Sequence, residues 1–193
     1  MTRTRLLELL RRATALSAGQ RIILAGSQAF YALATSAPHL VERSEEADLL
    51  LVGVEKSLFL KLEEVLGMES DYLRETGVFA HPVGLGTITL VRGWEDRLVP
   101  FGRDEGLANV WALEIHDLAA SKLMVGRDKD FEFLGALLDH GLCDFPTLLT
   151  RMELLRAGVY ANAVPDRLAK LARHLRAWKR DDLVRTIPAE PNN

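Results

Sequence analysis

Two carboxylates separated by a single residue are the first candidates for chemistry in this 193-residue chain. Glu46 and Asp48 stand immediately before the continuously apolar segment 49–52, which is typical of a strand covered on both faces. Residues two apart on a strand share one face, so the two carboxylates are predicted to lie side by side. Carboxylate oxygens are ligands that suit Mg²⁺. The pair therefore predicts a magnesium site; the alternative is ordinary surface acidity at the start of a strand.

A Gly-Ser pair, Gly26-Ser27, follows a shorter apolar run at residues 21–25 that is typical of a strand. A helix is predicted to begin after Ser27 and to end before Ala37-Pro38. Backbone N–H groups at the start of a helix favour an anion such as phosphate. The alternative is that Ser27 caps this helix by accepting a hydrogen bond from a backbone N–H group. The two functions are compatible, so the turn is a candidate phosphate site.

These candidates need a sheet to position them, and the pattern of apolar residues predicts a small mixed one. Predicted strands lie at residues 21–25, 46–52, 77–82, 87–91, 97–101 and 108–114. Besides the helix after Ser27, predicted helices lie at residues 4–17, 56–67, 69–75, 117–125, 129–140, 144–157 and 166–184. The order predicts an α+β fold. Its parts would be a core over residues 1–115, a C-terminal helical part packed on it over 116–186, and a flexible tail over 187–193.

Composition narrows the class of protein. A hydrophobic content of 48% and a charged content of 26% are those of an ordinary globular protein. The net charge of -3 argues against a dedicated nucleic-acid binder. Charged residues interrupt any signal-peptide core, and no apolar stretch approaches the ~20 residues that span a bilayer. A cytoplasmic protein without a membrane partner is therefore expected, and the single Cys143 excludes an internal disulfide.

The spacing of the Gly-Ser pair and the two acids resembles the nucleotidyltransferase superfamily with the DNA polymerase β type of fold. A closer resemblance is to the small bacterial nucleotidyltransferase-like proteins related to the AbiEii toxins. The segments that carry it are 26–29, 37–38, 44–48, 93–99, 116–123 and 126–130, within residues 20–151. Three departures accompany it. Glu46 stands where the superfamily usually has Asp, the spacer from Ser27 to Glu46 is longer than the common one, and no third carboxylate is evident on a later strand.

The resemblance implies a nucleoside triphosphate bound with Mg²⁺ and transfer of a nucleotidyl group to an acceptor hydroxyl. RNA, a protein and a small molecule are all possible acceptors. Glu46 and Asp48 would be the catalytic residues that hold one or two metal ions. Gly26 and Ser27 would seat the β- and γ-phosphates. Chemistry of this kind depends chiefly on positioning and electrostatics.

A second group of charged residues lies between positions 117 and 130. The resemblance assigns Lys122 to the nucleotide phosphates and to catalysis, Arg127 to nucleotide binding, and Asp130 to catalysis by orienting Lys122 or positioning the acceptor. Alternatively Lys122 is a solvated side chain, because a buried ammonium group would require a carboxylate or a phosphate beside it. For Asp130 the alternative is capping of a helix. Asp117 is either a polar contributor to the cleft or the cap of its own helix, and capping is the simpler interpretation.

Two other classes of function compete with an active enzyme. The unusual Glu46 and the missing third acid are compatible with a catalytically silent fold that acts as a binding or regulatory module, with an antitoxin-type protein partner. The basic residues of the predicted helix 166–184 are compatible with RNA binding, although a solvated face of an amphipathic helix is the simpler interpretation. The five histidines show no metal-ligand spacing along the chain.

Overall fold

The computed structural model describes residues 1–188, which divide into two compact units. The sheet unit comprises Met1–Ile88 and Trp94–Glu114, and the helical unit comprises Thr89–Gly93 and the residues from Ile115 onward. Within the described residues every strand belongs to the sheet unit. The predicted α+β class, with a mixed sheet followed by C-terminal helices, is therefore confirmed. Most of the tail predicted over 187–193 lies outside the described residues.

A mixed sheet of five short strands forms the centre of the sheet unit. The strands are β1 (Ile22–Leu24), β2 (Glu46–Leu50), β3 (Phe79–Val83), β4 (Val99–Pro100) and β5 (Val110–Ala112). Their order is β3-β2-β1-β5-β4. β2 runs antiparallel to β1 and parallel to β3, while β1 is parallel to β5. β2 is thus an inner strand between β1 and β3, which explains its buried apolar residues.

The helices of the sheet unit are α1 (Arg3–Leu16), α2 (His39–Glu42), α3 (Lys56–Leu66) and α4 (Asp71–Thr76). Three of them, α1, α3 and α4, begin and end close to the predicted positions, whereas α2 lies where no helix was predicted. In α1 the apolar residues recur at helical spacing, and Leu6, Leu9, Leu10 and Ala13 are fully buried. The hydroxyl of Thr2 accepts a hydrogen bond from the Arg5 backbone N–H and so caps the helix. The helix predicted at 4–17 is therefore an amphipathic helix whose apolar side is buried.

The helical unit is built around one buried helix. Its helices are α5 (Ile115–Val125), α6 (Asp128–Asp139), α7 (Phe145–Arg156), α8 (Val164–Ala177) and α9 (Asp181–Val184). α5 contacts α6, α7 and α8, so most of its residues are buried all round. Asp117, for which capping was the simpler interpretation, lies 2.9 Å from the Nε of Arg151 in α7. This carboxylate is 2% exposed and thus forms a buried ion pair.

Three predicted elements differ from the structure. The helix after Ser27 is a short 3₁₀ helix, Ser27–Ala32, and the strand predicted at 87–91 is absent from the described residues. Alternating apolar residues form a strand only where a neighbouring strand offers its backbone, and the 87–91 segment pairs with none. The helix predicted at 166–184 is interrupted at Lys179, which has a φ of 60°. There the N–H of Arg180 donates to the carbonyl of Leu175, a Schellman arrangement that ends α8.

A membrane-spanning helix requires both length and a continuous apolar surface. No helix among residues 1–188 meets the two requirements together.

Candidate active site

Three potential metal ligands meet on one face of the sheet. β2 and β3 are paired in register, so that Asp48 lies opposite His81. Glu46 shares that face because it is two residues from Asp48. The Nδ1 of His81 lies 2.6 Å from a carboxylate oxygen of Glu46 and 3.3 Å from one of Asp48. One ligand atom from each side chain falls within 4.8 Å of the others, which is an arrangement that can hold a cation.

The two faces of β2 have different environments. Ala47 and Leu49, which alternate with the acids, are fully buried. The side chains of Glu46 and Asp48 are 37% and 31% exposed. Strand alternation therefore anchors β2 through its apolar residues and leaves the carboxylates open to an ion or a substrate.

Sequence reasoning missed His81. Metal-ligand spacing is sought between residues close along the chain, and His81 is 33 residues from Asp48. Its approach to the acids depends on the parallel pairing of β2 with β3. The only available signal was its position within the strand predicted at 77–82. This imidazole also occupies a strand beside the acid pair, where a third carboxylate was sought.

The Gly-Ser turn packs directly against Asp48. The backbone N–H of Ala25 donates to the carbonyl oxygen of Asp48 at 3.0 Å. A Cβ atom added to Gly26 would lie 1.9 Å from Asp48 Oδ2 and 2.8 Å from its Cγ, far inside van der Waals contact. The φ of Gly26 is -100°, which other residues adopt readily. Glycine is therefore required at this position, because the Asp48 carboxylate fills the space that a Cβ atom would need.

Ser27 does not cap the helix that follows. Gly26 is the capping residue and offers no side chain, while Ser27 is the first residue of the 3₁₀ helix and is half-buried. A 3₁₀ helix of six residues has a weaker aligned dipole than the α-helix that was expected. An anion at this turn would therefore depend on individual backbone N–H groups and on the Ser27 hydroxyl. The interpretation of Ser27 as an N-cap was wrong.

Replacing Gly26 with alanine is expected to weaken the binding of a divalent cation by about tenfold or more, because the added methyl group displaces the Asp48 carboxylate. Calorimetric titration of the cation measures the change. Gly84→Ala is the matched control, since an added Cβ meets nothing within 4 Å there. Equal affinities in the two variants would show that Asp48 can move without cost to binding.

Lys122, Arg127 and Asp130 come together in the helical unit. The carboxylate of Asp130 is 1% exposed and lies 3.6 Å from the Nζ of Lys122. Arg127 donates to the same carboxylate from its Nε at 2.9 Å and from its backbone N–H at 3.1 Å. Lys122 is 16% exposed and lies over the Phe133 ring, 5.0 Å from its centroid. The largely buried ammonium group thus has the carboxylate partner that burial requires.

These two groups of predicted site residues are found in different units. Gly26, Ser27, Glu46 and Asp48 belong to the sheet unit, whereas Lys122, Arg127 and Asp130 belong to the helical unit. Asp130 also accepts the backbone N–H at the start of α6, so it stabilises that helix end as well as Lys122. Each group is internally connected, and their combination in one active site stays a prediction.

The stability of the helical unit is expected to fall in acid through Asp130. Burial alone raises the pKa of its carboxyl, but hydrogen bonds from Arg127 and the charge of Lys122 outweigh burial, so the pKa is lowered. A carboxyl with a lowered pKa stabilises the fold above its unfolded pKa of about 4, and the contribution is lost as the pH falls through the folded value. Urea unfolding at several pH values measures this loss. Asp130→Asn should remove this part of the pH dependence; an unchanged profile in that variant would contradict it.

An open cavity of about 670 Å³ lies beside His81 within the sheet unit. It is lined by α3, the segment after α3, and β3, and His81 forms part of its wall. Three glutamates, Glu63, Glu64 and Glu69, line it together with apolar side chains that include Phe79. The cavity therefore offers apolar contact and negative charge next to the imidazole of His81.

Comparison with family models matches residues 4–179 to the family described as "Nucleotidyltransferase of unknown function (DUF6036)". Comparison with curated proteins and with solved structures finds no match. The matched residues include the Gly-Ser turn, the carboxylates of β2, His81 and the Lys122–Asp130 pair. Since the match covers most of the chain, this protein belongs to the nucleotidyltransferase family of unknown function DUF6036.

Proposed function

We propose that the protein is an active, metal-dependent nucleotidyltransferase that binds a nucleoside triphosphate and transfers its nucleotidyl group to an acceptor hydroxyl. The observation that carries this proposal is the convergence of Glu46, Asp48 and His81 directly beside the Gly26 turn. Membership of a nucleotidyltransferase family supports the reaction class. The finer proposals, a DNA polymerase β type of core and kinship with AbiEii-type proteins, rest on the resemblance carried by segments 26–29, 37–38, 44–48, 93–99, 116–123 and 126–130.

The donor set fits a divalent cation, since hard carboxylate oxygens are present and open to solvent. When bound, such a cation supplies positive charge to the attacked α-phosphate and to the departing pyrophosphate. Glu46 and Asp48 would hold and orient the cation. The acceptor hydroxyl releases its proton to solvent, its oxygen forms a bond to the α-phosphorus, and the bond to pyrophosphate breaks. Mg²⁺ is the ion expected from two carboxylates alone.

Other residues of the chain bind and orient the substrate in this proposal. Backbone N–H groups at Gly26 and Ser27 bind the β- and γ-phosphates. Lys122 and Arg127 add positive charge to the nucleotide site, and Asp130 holds Lys122 in place through their contact at 3.6 Å. RNA, a protein or a small molecule supplies the acceptor hydroxyl, and the reaction takes place in the cytoplasm.

The second candidate is a catalytically silent fold that acts as a regulatory module with an antitoxin-type protein partner. The specific observation in its favour is that, among residues 1–188, the third member of the group beside the two acids is the imidazole of His81 and not a carboxylate. A silent fold keeps the sheet, the Gly-Ser turn and the carboxylates of β2 but does not catalyse nucleotidyl transfer.

Calorimetric titration of the four ribonucleoside triphosphates into the full chain, with Mg²⁺, with Mn²⁺ and without either cation, separates the two candidates. An active site gives binding to at least one nucleotide that requires the cation. Absence of binding to all four nucleotides, together with a protein partner that co-purifies stably, would favour the silent module. Nucleotide binding that is independent of the cation would contradict the proposed role of the β2 carboxylates.

A further inference from the structure

The third potential ligand, His81, changes the set of atoms that a cation would meet. Its Nδ1 points at both acids, at 2.6 Å from Glu46 and 3.3 Å from Asp48. The contact is fixed by backbone pairing, since His81 and Asp48 are in register on adjacent strands. A cation placed between the carboxylates therefore lies within reach of an imidazole nitrogen as well as of oxygen.

Cations differ in their response to such a mixed set. Mg²⁺ favours oxygen in a strict octahedron, keeps several of its waters and needs only one or two carboxylates from the protein. First-row transition-metal ions gain affinity from imidazole, and Mn²⁺ also accepts carboxylates readily. An imidazole beside two carboxylates thus raises the affinity for a transition-metal ion and adds little to the affinity for Mg²⁺.

From this juxtaposition we infer that the site selects a first-row transition-metal cation such as Mn²⁺ over Mg²⁺, with Nδ1 of His81 as the third ligand. The inference rests on the nucleotidyltransferase proposed above, and it replaces the magnesium expected from the two acids alone. In this arrangement His81 is both a metal ligand and part of the wall of the adjoining cavity. The ion therefore lies next to the space that a substrate can enter.

The simpler alternative is that His81 and the carboxylates form only a surface ion pair. His81 is 45% exposed, and an exposed histidine beside a carboxylate is a common and energetically minor contact. In that case the ring would contribute nothing to metal affinity. The two interpretations differ in what happens to cation binding when the ring is removed.

Direct measurement of cation binding to the full chain tests the inference. The free Mn²⁺ signal in electron paramagnetic resonance gives the affinity for Mn²⁺, and competition with Mg²⁺ gives the preference. His81→Ala should weaken Mn²⁺ binding by about 10- to 100-fold and change Mg²⁺ binding much less. His81→Asp should bind both ions with an all-oxygen set and so lose the preference. His39→Ala, an exposed histidine of the same unit outside the cluster, is the matched control and should behave as wild type.

Unchanged Mn²⁺ affinity in His81→Ala, or equal affinity of the wild-type protein for Mn²⁺ and Mg²⁺, would overturn the inference. His81 lies on the edge strand and is half-exposed, so both variants should fold, and circular dichroism checks this. Cation-dependent nucleotide binding is measured separately. If it persists with Mg²⁺ while His81→Ala has no effect, the metal preference fails and the proposed nucleotidyltransferase stands.

Discussion

Replacing Asp48 with alanine is expected to lower cation-dependent nucleotide binding, and any transfer, by about two orders of magnitude or more. Asp48 would contribute a carboxylate to the proposed cation site, and it contacts His81 and fills the space beside Gly26. The substitution should leave the fold intact, because the side chain is 31% exposed and β2 is anchored by the buried Ala47 and Leu49. Calorimetric titration of nucleotide with the cation present measures the loss.

Asp71→Ala provides the matched control for this experiment. Asp71 is an acid of the same unit, but its side chain is 85% exposed and its visible partner is Arg74 in the same helix. Its replacement should leave nucleotide affinity unchanged. Retention of full affinity by Asp48→Ala would remove the active-enzyme proposal and leave the silent module.

Replacing Asp117 with alanine should destabilise the helical unit by about 3–5 kcal/mol, because it removes a buried carboxylate from the guanidinium of Arg151. The pair joins α5 to α7 with a distance of 2.9 Å, and the two side chains are 2% and 17% exposed. Breaking such a pair leaves a charge with little access to water. Urea unfolding followed by circular dichroism gives the change in the free energy of unfolding.

A solvent-exposed pair supplies the comparison. Glu8 and Arg12 are 3.5 Å apart and both 54% exposed, so Glu8→Ala should cost less than about 0.5 kcal/mol. Adding Arg151→Met to Asp117→Ala should recover part of the lost stability, since no buried charge is then left behind. A cost below about 1 kcal/mol for Asp117→Ala would mean that Arg151 finds another route to solvent or to a partner.

Features that depend on local pattern could be predicted from the sequence. Apolar periodicity located α1 and α3 with an error of about a residue at each end, and the two-residue spacing of Glu46 and Asp48 placed both acids on one face. The α+β class followed from the order of these elements. Each of these inferences uses residues that are close along the chain, where the backbone geometry is known in advance.

Features that depend on pairing between distant segments could not be predicted in this way. His81 joins the acids only through the register of β2 with β3, and no local pattern specifies that register. The segment 87–91 has the residues of a strand but no strand beside it. Lys179 ends α8 in a left-handed conformation that usually indicates glycine. Tertiary context decided the first two, whereas α8 ends through a local hydrogen bond from Arg180 to Leu175.

Because Gly26 lies so close to Asp48, substitutions at these two positions, which are 22 residues apart, are expected to be coupled. Any side chain at position 26 competes for the volume of the carboxylate at position 48, so the two positions cannot drift independently. A homologous chain that replaces this glycine must displace, shorten or lose the carboxylate at position 48. Loss of the glycine is then a sign, readable without a structure, that the carboxylate no longer occupies this place.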